Sequence, residues 1–247
     1  MSKMFLGCRN LTSLDVTNFN TEKVTDMSRM FQNCYDLTSL DVSNFNTSKV
    51  TDMCCMFVGC HKLTSLNVSK FNTTEVTDMS DMFEDCYALT SLDLTNFDTG
   101  KVKDMLFMFY GCSALTTIYA SNKFVTDKVT DNGSKMFYGC KNLKGFIEYN
   151  KNTDKDKDNY KYANYKTGYF SKLVGKNGEE KIGATGETLT TNNLVLDDGK
   201  DFVAYEPFAA KAASYSRTMN AGTTWATLCL PFEVSLDNQK FRAFKLL

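Results

Sequence analysis

The side chains able to do chemistry in this chain recur at fixed intervals. Polar residues alternate with leucine and valine along "LTSLDV" and the residues after it, and this segment returns every 26 residues. Alternate residues of a strand point to the same face, so the segment predicts exposed columns of hydroxyl and carboxylate groups. The columns are Ser13, Ser39, Ser65, Ser91 and Thr117; Asp15, Asp41, Asn67, Asp93 and Tyr119; Thr17, Ser43, Ser69, Thr95 and Ser121.

Two interpretations of these columns stand at the level of sequence. They form a ligand-binding face that offers hydrogen bonds and, through the aspartates, ion pairs to cationic groups. Alternatively, they are the solvated side of a sheet, because aromatic and arginine anchors usually dominate protein interfaces and only Tyr119 is of that kind here.

Six of the nine cysteines also follow the repeat. They are Cys8, Cys34, Cys60, Cys86, Cys112 and Cys140. Unpaired cysteine packs as a small hydrophobic residue, so we predict a ladder of buried thiols in the core. Disulfides between neighbouring repeats are the alternative, and they would require a particular separation of the Cα atoms.

The remaining candidates for catalysis or metal binding are isolated. His61, the single histidine, replaces a polar surface residue of the repeat, and we predict a surface position rather than a catalytic base. Cys54 and Cys55 stand where other repeats have Ser28 and Arg29, so we predict an exposed pair without a neighbouring base. A metal site in Asp154, Asp156 and Asp158 lacks the glycine and terminal glutamate of a calcium-binding loop. We therefore predict no catalytic residue, no metal and no cofactor.

Each repeat contains the elements that would position these side chains. "LTSLDV" has the L-x-x-L-x-L spacing of a short parallel strand. In "VTDMSRMFQNC", Met27, Met30, Phe31 and Cys34 share the i, i+3, i+4, i+7 spacing of a short helix, and Asp26 is its predicted N-cap. Aspartate returns at that place as Asp52, Asp78, Asp104 and Asp131. The residues that end this segment favour a left-handed conformation: Gly7, Asn33, Gly59, Asp85, Gly111 and Gly139.

A repeat of this length predicts a solenoid, because one coil cannot cover its own apolar side and must stack on its neighbours. The net charge of -1, from 28 basic and 29 acidic residues, gives no general attraction to nucleic acid or to an anionic membrane. The chain also has no run of 18 apolar residues and no apolar core of a signal peptide.

The repeat M-F-x-x-C-x-x-L-T-S-L-D-V-S-N-F-N-T-x-x-V-T-D-M resembles that of the BspA-like family of leucine-rich bacterial surface proteins. This resemblance covers residues 1 to about 148. It implies an α/β leucine-rich-repeat solenoid of short parallel strands and short helices, displayed outside the cell, with a concave face that mediates adhesion. The segments "NLVLDDGKDF", "FAAKAASYSRTM" and "WATLCLPFEV" resemble the β-rich region that follows such repeats in surface proteins of the Bacteroides kind.

From these observations we predict three regions. Residues 1–148 form a solenoid of six coils of 26 to 28 residues, residues 149–184 a loop rich in lysine and aspartate with a degenerate capping coil, and residues 185–247 a β-rich segment. "GYF" at 168–170 is interpreted as the trace of a seventh coil. Since Met1 aligns with Met27, we expect an uncapped first coil that continues from a longer parent protein or is covered by a second copy.

The predicted function is non-enzymatic: adhesion or ligand binding at the cell surface through the concave face. Its predicted partners are host extracellular or cell-surface proteins, glycans or other cells, and a second copy through the first coil, but not nucleic acid. The proposed binding residues are Ser13, Asp15, Thr17, Ser39, Asp41, Ser43, Ser65, Asn67, Ser69, Ser91, Asp93, Thr95 and Tyr119. Two other roles remain open, a structural spacer that displays other domains and an accessory protein in surface carbohydrate handling.

Overall fold

The computed structural model describes residues 1–130, 135–150, 157–197 and 200–216. Each repeat of the first part forms one coil, and we number the coils one to six from Met4, Met30, Met56, Met82, Met108 and Met136. Short parallel strands stack from coil to coil, as predicted. Strand β1 (Ser13–Leu14) pairs with β2 (Ser39–Leu40), and β3 (Ser91–Leu94) pairs with β4 (Thr117–Ala120).

A second parallel ladder runs along another side of the stack. Asp26, Asp52, Asp78 and Asp104 form successive parallel bridges. Their neighbours complete the ladder: Thr51 N–H donates to the Thr25 carbonyl at 2.8 Å, and Met27 N–H donates to the Asp52 carbonyl at 3.0 Å. Coils one and two, and coils four and five, are therefore bonded to each other on two sides.

The helices predicted for segments such as 26–34 were wrong, because two tight turns stand in their place. The amide of Met30 donates to the Met27 carbonyl, and the amide of Cys34 donates to the Phe31 carbonyl. The third residue of each turn has a positive φ, 58° at Arg29 and 62° at Asn33, as a type II turn requires. Among the described residues, the one helix is a single 3-10 turn at Tyr160–Tyr162.

The turns replace a helix because they leave amides available for the neighbouring coil. Arg29 N–H donates to the Cys54 carbonyl at 2.8 Å, and Phe31 N–H donates to the Met56 carbonyl at 2.9 Å. A helix would direct these amides to carbonyls of its own preceding turn. The predicted apolar set still points inward, since Met27, Met30, Phe31 and Cys34 are all fully buried.

Ladders of identical side chains fill the core. The phenylalanine rings stack nearly parallel, with centroids 5.6 to 5.8 Å apart, and they are Phe5, Phe31, Phe57, Phe83, Phe109 and Phe137. The predicted thiol ladder is confirmed. Five of its six cysteines are fully buried and Cys8 is half-buried, and all six are free thiols. Each buried thiol donates to the carbonyl of a phenylalanine in the preceding coil, as Cys86 does to Phe57 at 3.3 Å.

The sixth coil lacks a strand like those of coils one, two, four and five. Lys144 N–H donates to the Thr116 carbonyl, but the chain then folds back on itself through an antiparallel bridge between Lys144 and Glu148. Ser171 lies beside β4 instead, where it forms a parallel bridge to Tyr119. Tyr169 and Phe170, which belong to the predicted trace of a seventh coil, are fully buried against the last turns of the stack.

The remaining strands follow Ser171. Strands β5 (Lys172–Asn177), β6 (Glu180–Ala184) and β9 (Phe202–Ala204) form an antiparallel sheet in the order β6-β5-β9. In parallel pairs, β7 (Thr190–Thr191) lies beside β10 (Ala209–Ala210), and β8 (Leu194–Asp197) lies beside β11 (Ala213–Ser216). A small core of Val174, Ile182, Ala184, Leu194 and Leu196 joins these strands.

Some predictions fall on residues outside the described ranges: Asp131, Asp154, Asp156 and the segment that contains "WATLCLPF". Asp158 is described; it is buried, and its carbonyl accepts from Phe137 N–H. No helix in the described part of the chain has the length and apolar character needed to cross a membrane.

Candidate ligand-binding face of the strand stack

The first parallel ladder creates the candidate site because its side chains alternate strictly between core and solvent. Leu40 and Val42 of coil two point into the core, whereas Ser39 and Asp41 are exposed. The parallel register places Ser13 opposite Ser39 and Leu14 opposite Leu40. Equivalent polar residues of successive coils are therefore adjacent in space.

The structure brings the predicted residues of coils one to three together around one shallow groove of about 650 Å³. Leu14 and Leu40 lie at its floor, and the other lining residues are Ser13, Asp15, Thr17, Ser39, Asp41, Ser43, Ser65 and Asn67. All eight of these belong to the predicted set. Ser69, Ser91, Asp93, Thr95 and Tyr119 lie further along the same columns, outside this groove.

The aspartates of the groove are held by local hydrogen bonds. Asp15 Oδ1 accepts from the amide of Thr17 at 3.0 Å and from its hydroxyl at 2.6 Å. Asp41 Oδ1 accepts from the amide of Ser43 at 2.9 Å. These bonds lower the pKa of both carboxyl groups, so both are ionised at neutral pH. Each leaves its Oδ2 free to accept from a ligand.

Asparagine replaces aspartate in coil three without changing this geometry. Asn67 Oδ1 accepts from the amide of Ser69 at 3.2 Å and from its hydroxyl at 2.7 Å. The side-chain oxygen, rather than the charge, therefore shapes the turn after each strand. The charge of Asp15 and Asp41 is available for binding.

At the far end of the face, a residue of the C-terminal sheet occupies the predicted site. Lys181, in β6, forms an ion pair and a hydrogen bond with the Asp93 carboxylate, and its ammonium lies 5.6 Å from the centre of the Tyr119 ring. Tyr119 Oη also donates to the Lys181 carbonyl at 3.2 Å. This part of the face is closed to an external ligand.

The charge of Lys181 controls the ionisation of Asp93. Burial by itself would raise the pKa of this carboxyl group. The hydrogen bonds from Lys181 and Thr95, together with the positive charge of Lys181, outweigh burial and lower the pKa. The same burial, with the nearby Asp93 charge, raises the pKa of Tyr119. This contact therefore holds the charged ammonium of Lys181 against the Asp93 carboxylate and the face of the Tyr119 ring.

Sequence reasoning missed a column of buried threonines that connects the coils beside this face. Thr47 Oγ1 donates to the Asn72 carbonyl at 2.9 Å and accepts from the Asn72 amide at 2.7 Å. Thr21, Thr47, Thr73 and Thr99 all make such paired bonds to the next coil. The signal was available, since each is the last residue of a repeated "FNT" or "FDT".

The isolated candidates are placed differently from one another. His61 lies in a stack between Tyr35 and Tyr87, with ring centroids 4.5 and 4.7 Å away. Cys54 is partly exposed, but Cys55 is 8% exposed, so the prediction of an exposed pair was wrong for its second member. The φ of 56° at Cys55 is the left-handed conformation shared by Arg29 and Asp81 at the equivalent positions.

Comparison with known proteins identifies the repeat part of the chain. A protein-family model described as "Mycoplasma protein of unknown function, DUF285" matches residues 1–120 and again residues 36–150. Together these matches cover the coils and end before β5. No curated protein and no solved structure matches the chain.

Proposed function

This chain belongs to the DUF285 family, a repeat family, and we propose that it is a non-enzymatic binding protein that recognises cationic and hydroxyl-bearing groups through its strand face. The resemblance to BspA-like leucine-rich-repeat proteins supports display at the cell surface and a role in adhesion. In this proposal the partners are host extracellular or cell-surface proteins, glycans or other cells. A second copy stacked on the first coil, where Met4 and Leu6 are about half exposed, is a further partner.

The observation that carries the proposal is the contact of Lys181 with Asp93 and Tyr119. It is a lysine side chain bound by the same column that is open at Asp15 and Asp41. The two open aspartates are exposed and ionised, and their turns are preformed by Thr17 and Ser43. They therefore support recognition of lysine or arginine side chains on a partner, with the serine column supplying hydrogen bonds.

Such a face favours weak contacts that are repeated. Exposed ion pairs typically contribute only about 0 to 1 kcal/mol each. The groove repeats the same groups from coil to coil, and many copies on a surface would bind a multivalent partner with far higher avidity than one copy. This arrangement suits adhesion better than tight recognition of a single soluble ligand.

The test is a binding screen of the purified chain against immobilised extracellular-matrix proteins, mucins and glycans at two salt concentrations. The variant Asp15→Asn/Asp41→Asn keeps the oxygen that shapes each turn, as Asn67 does naturally, and removes two charges. We expect it to lose at least tenfold in apparent affinity, and we expect native binding to weaken at the higher salt concentration.

The matched control is Glu22→Gln/Asp127→Asn, which also removes two exposed negative charges but away from the groove. It should bind as the native chain does. Equal loss in both variants would indicate a general charge effect. If the correctly folded chain bound no member of the panel, the proposal would be contradicted and the role of structural spacer would be favoured.

A further inference from the structure

Two adjacent thiols lie at one point of the turn segment that joins coils two and three. Cys54 and Cys55 have their Sγ atoms 3.1 Å apart. In neighbouring coils the same two positions are held by Ser28 with Arg29 and by Ser80 with Asp81. Cys54 is partly exposed, so the pair is open to solvent on one side. The buried thiol ladder is separate, because its members point into the core.

Stacking places carboxylates of the next coil against this pair. Asp81 Oδ2 lies 3.9 Å from Cys55 Sγ, and ligand atoms of Cys54, Cys55 and Asp81 all lie within 4.8 Å of one another. Asp52 and Asp78 have carboxylate oxygens within the same distance of Cys54 Sγ. The cluster combines two soft sulfur ligands with hard oxygen ligands from neighbouring coils.

The ligand atoms of Cys54, Cys55 and Asp81 lie close enough together for one ion to contact them. A zinc ion binds cysteine sulfur at about 2.3 Å and carboxylate oxygen at about 2.0 to 2.2 Å. In a tetrahedral site with these bond lengths, two ligand atoms lie about 3.4 to 3.8 Å apart. The sulfur pair at 3.1 Å and the Cys55–Asp81 pair at 3.9 Å lie close to these separations, and rotation of the side chains can supply the difference.

We propose that Cys54, Cys55 and Asp81 form a binding site for a thiophilic divalent cation such as Zn²⁺, with water or Asp78 completing four ligands. Binding releases the two thiol protons and involves no redox step. Thiolate ligands select zinc-like ions over calcium and magnesium, which prefer oxygen. The proposal is independent of ligand binding at the strand face, which lies on a different ladder of the coil.

The positive neighbour of the site is Arg29, whose guanidinium lies beside both thiols. Its positive charge opposes a bound cation. Its side chain is exposed and able to turn toward solvent, while three carboxylates and two thiolates remain around the ion. The sum of charges is therefore negative with the arginine included.

The experiment titrates Co²⁺ into the chain of residues 1–247 after reduction and removal of metal, under anaerobic conditions. Cobalt serves as the probe because thiolate coordination produces charge-transfer absorption in the near ultraviolet. We expect one Co²⁺ per chain, with displacement of the absorption by Zn²⁺. Asp81→Asn, which keeps the shape of the side chain, should weaken Co²⁺ binding at least tenfold.

The variant Cys54→Ser/Cys55→Asp removes both proposed sulfur ligands. It copies the natural pair Ser80 and Asp81 of the next coil, so it should fold normally, and it should show no charge-transfer absorption. A Cys8→Ser variant, which removes the half-buried thiol of the first coil, should retain it. Absence of the absorption in the native chain, or its survival in the double variant, would overturn the site.

Discussion

At the scale of single residues, a buried hydroxyl contributes more to this structure than its composition suggests. Thr47 is 2% exposed, and its Oγ1 both donates to and accepts from the backbone of Asn72 in the next coil. The two hydrogen bonds of this hydroxyl replace a pair of backbone hydrogen bonds between the coils, at the turn that follows the strand. The threonine column therefore continues the bonding between coils past the end of each strand.

Replacing this hydroxyl with a methyl group tests its contribution. Thr47→Val preserves shape but leaves the Asn72 amide and carbonyl without their partner, so we expect a loss of about 1 to 3 kcal/mol in the free energy of unfolding. Urea denaturation measures the difference. The exposed Thr64→Val serves as control and should change the same quantity by less than about 0.5 kcal/mol. Equal effects would show that the paired bonds add nothing.

At the scale of elements, the strand was predictable from sequence and the turn segment was not. Alternation in "LTSLDV" specifies which side chains face outward, so every residue lining the groove except its leucine floor belongs to the predicted set. In the turn segment, the spacing of Met27, Met30, Phe31 and Cys34 suits a helix and two consecutive turns equally well. The choice depends on amides that bond the neighbouring coil, a contact that no local pattern contains.

The closed end of the binding face was unpredictable for a related reason. Asp93 and Lys181 are 88 residues apart, and they belong to regions of different character. Likewise, the replacement of the sixth strand by Ser171 depends on tertiary packing. Gly145 lies against the backbone of Tyr169, where a Cβ atom would come within 2.3 Å of the Tyr169 carbonyl carbon.

From coil one to coil five, the left-handed position at the end of the turn segment alternates between glycine and a larger residue. Gly111 has a φ of 76°, and an added Cβ would lie 2.1 Å from Asp85 Oδ1 of the preceding coil. Gly59 has the same relation to Asn33, at 2.8 Å. Gly7 has a similar φ of 75° but no atom within 4 Å of the added Cβ. Glycine at Gly59 and Gly111 thus makes room for a side chain of the coil before it.

This difference in crowding predicts that replacing glycine with alanine destabilises the protein more at Gly111 than at Gly7. Gly7→Ala adds only the backbone strain of the left-handed conformation, roughly 1 to 2 kcal/mol. Gly111→Ala adds the same strain and the collision with Asp85, so its midpoint in urea should be lower than that of Gly7→Ala. The double variant Gly111→Ala/Asp85→Gly should recover the difference. No recovery would mean that the crowding does not involve the Asp85 side chain.

At the scale of the whole molecule, the ladders make the stability of each coil depend on the coils beside it. The ring of Phe57 stacks on Phe31 at 5.6 Å and on Phe83 at 5.8 Å, whereas the ring of Phe5 has one ladder partner. In stacked-repeat proteins, each unit is stabilised mainly by its interfaces with the adjacent units. The stack is therefore expected to open from its ends, and its C-terminal end is covered by Tyr169 and Phe170.

The thiol ladder provides a probe of this opening at one equivalent position in every coil. Burial raises the pKa of Cys34 to about 11 and raises those of Cys60, Cys86 and Cys112 well above the usual value of a thiol, so these thiols react only after exposure to solvent. In the Cys54→Ser/Cys55→Asp background, pulses of an alkylating reagent followed by peptide mass spectrometry should label Cys8 first, Cys34 next and Cys86 most slowly. Cys140 should remain protected despite its terminal position, because the C-terminal residues cover its coil.

A single common labelling rate for the five buried thiols would instead show that the stack opens as one cooperative unit. Faster labelling of Cys86 than of Cys34 would contradict opening from the first coil.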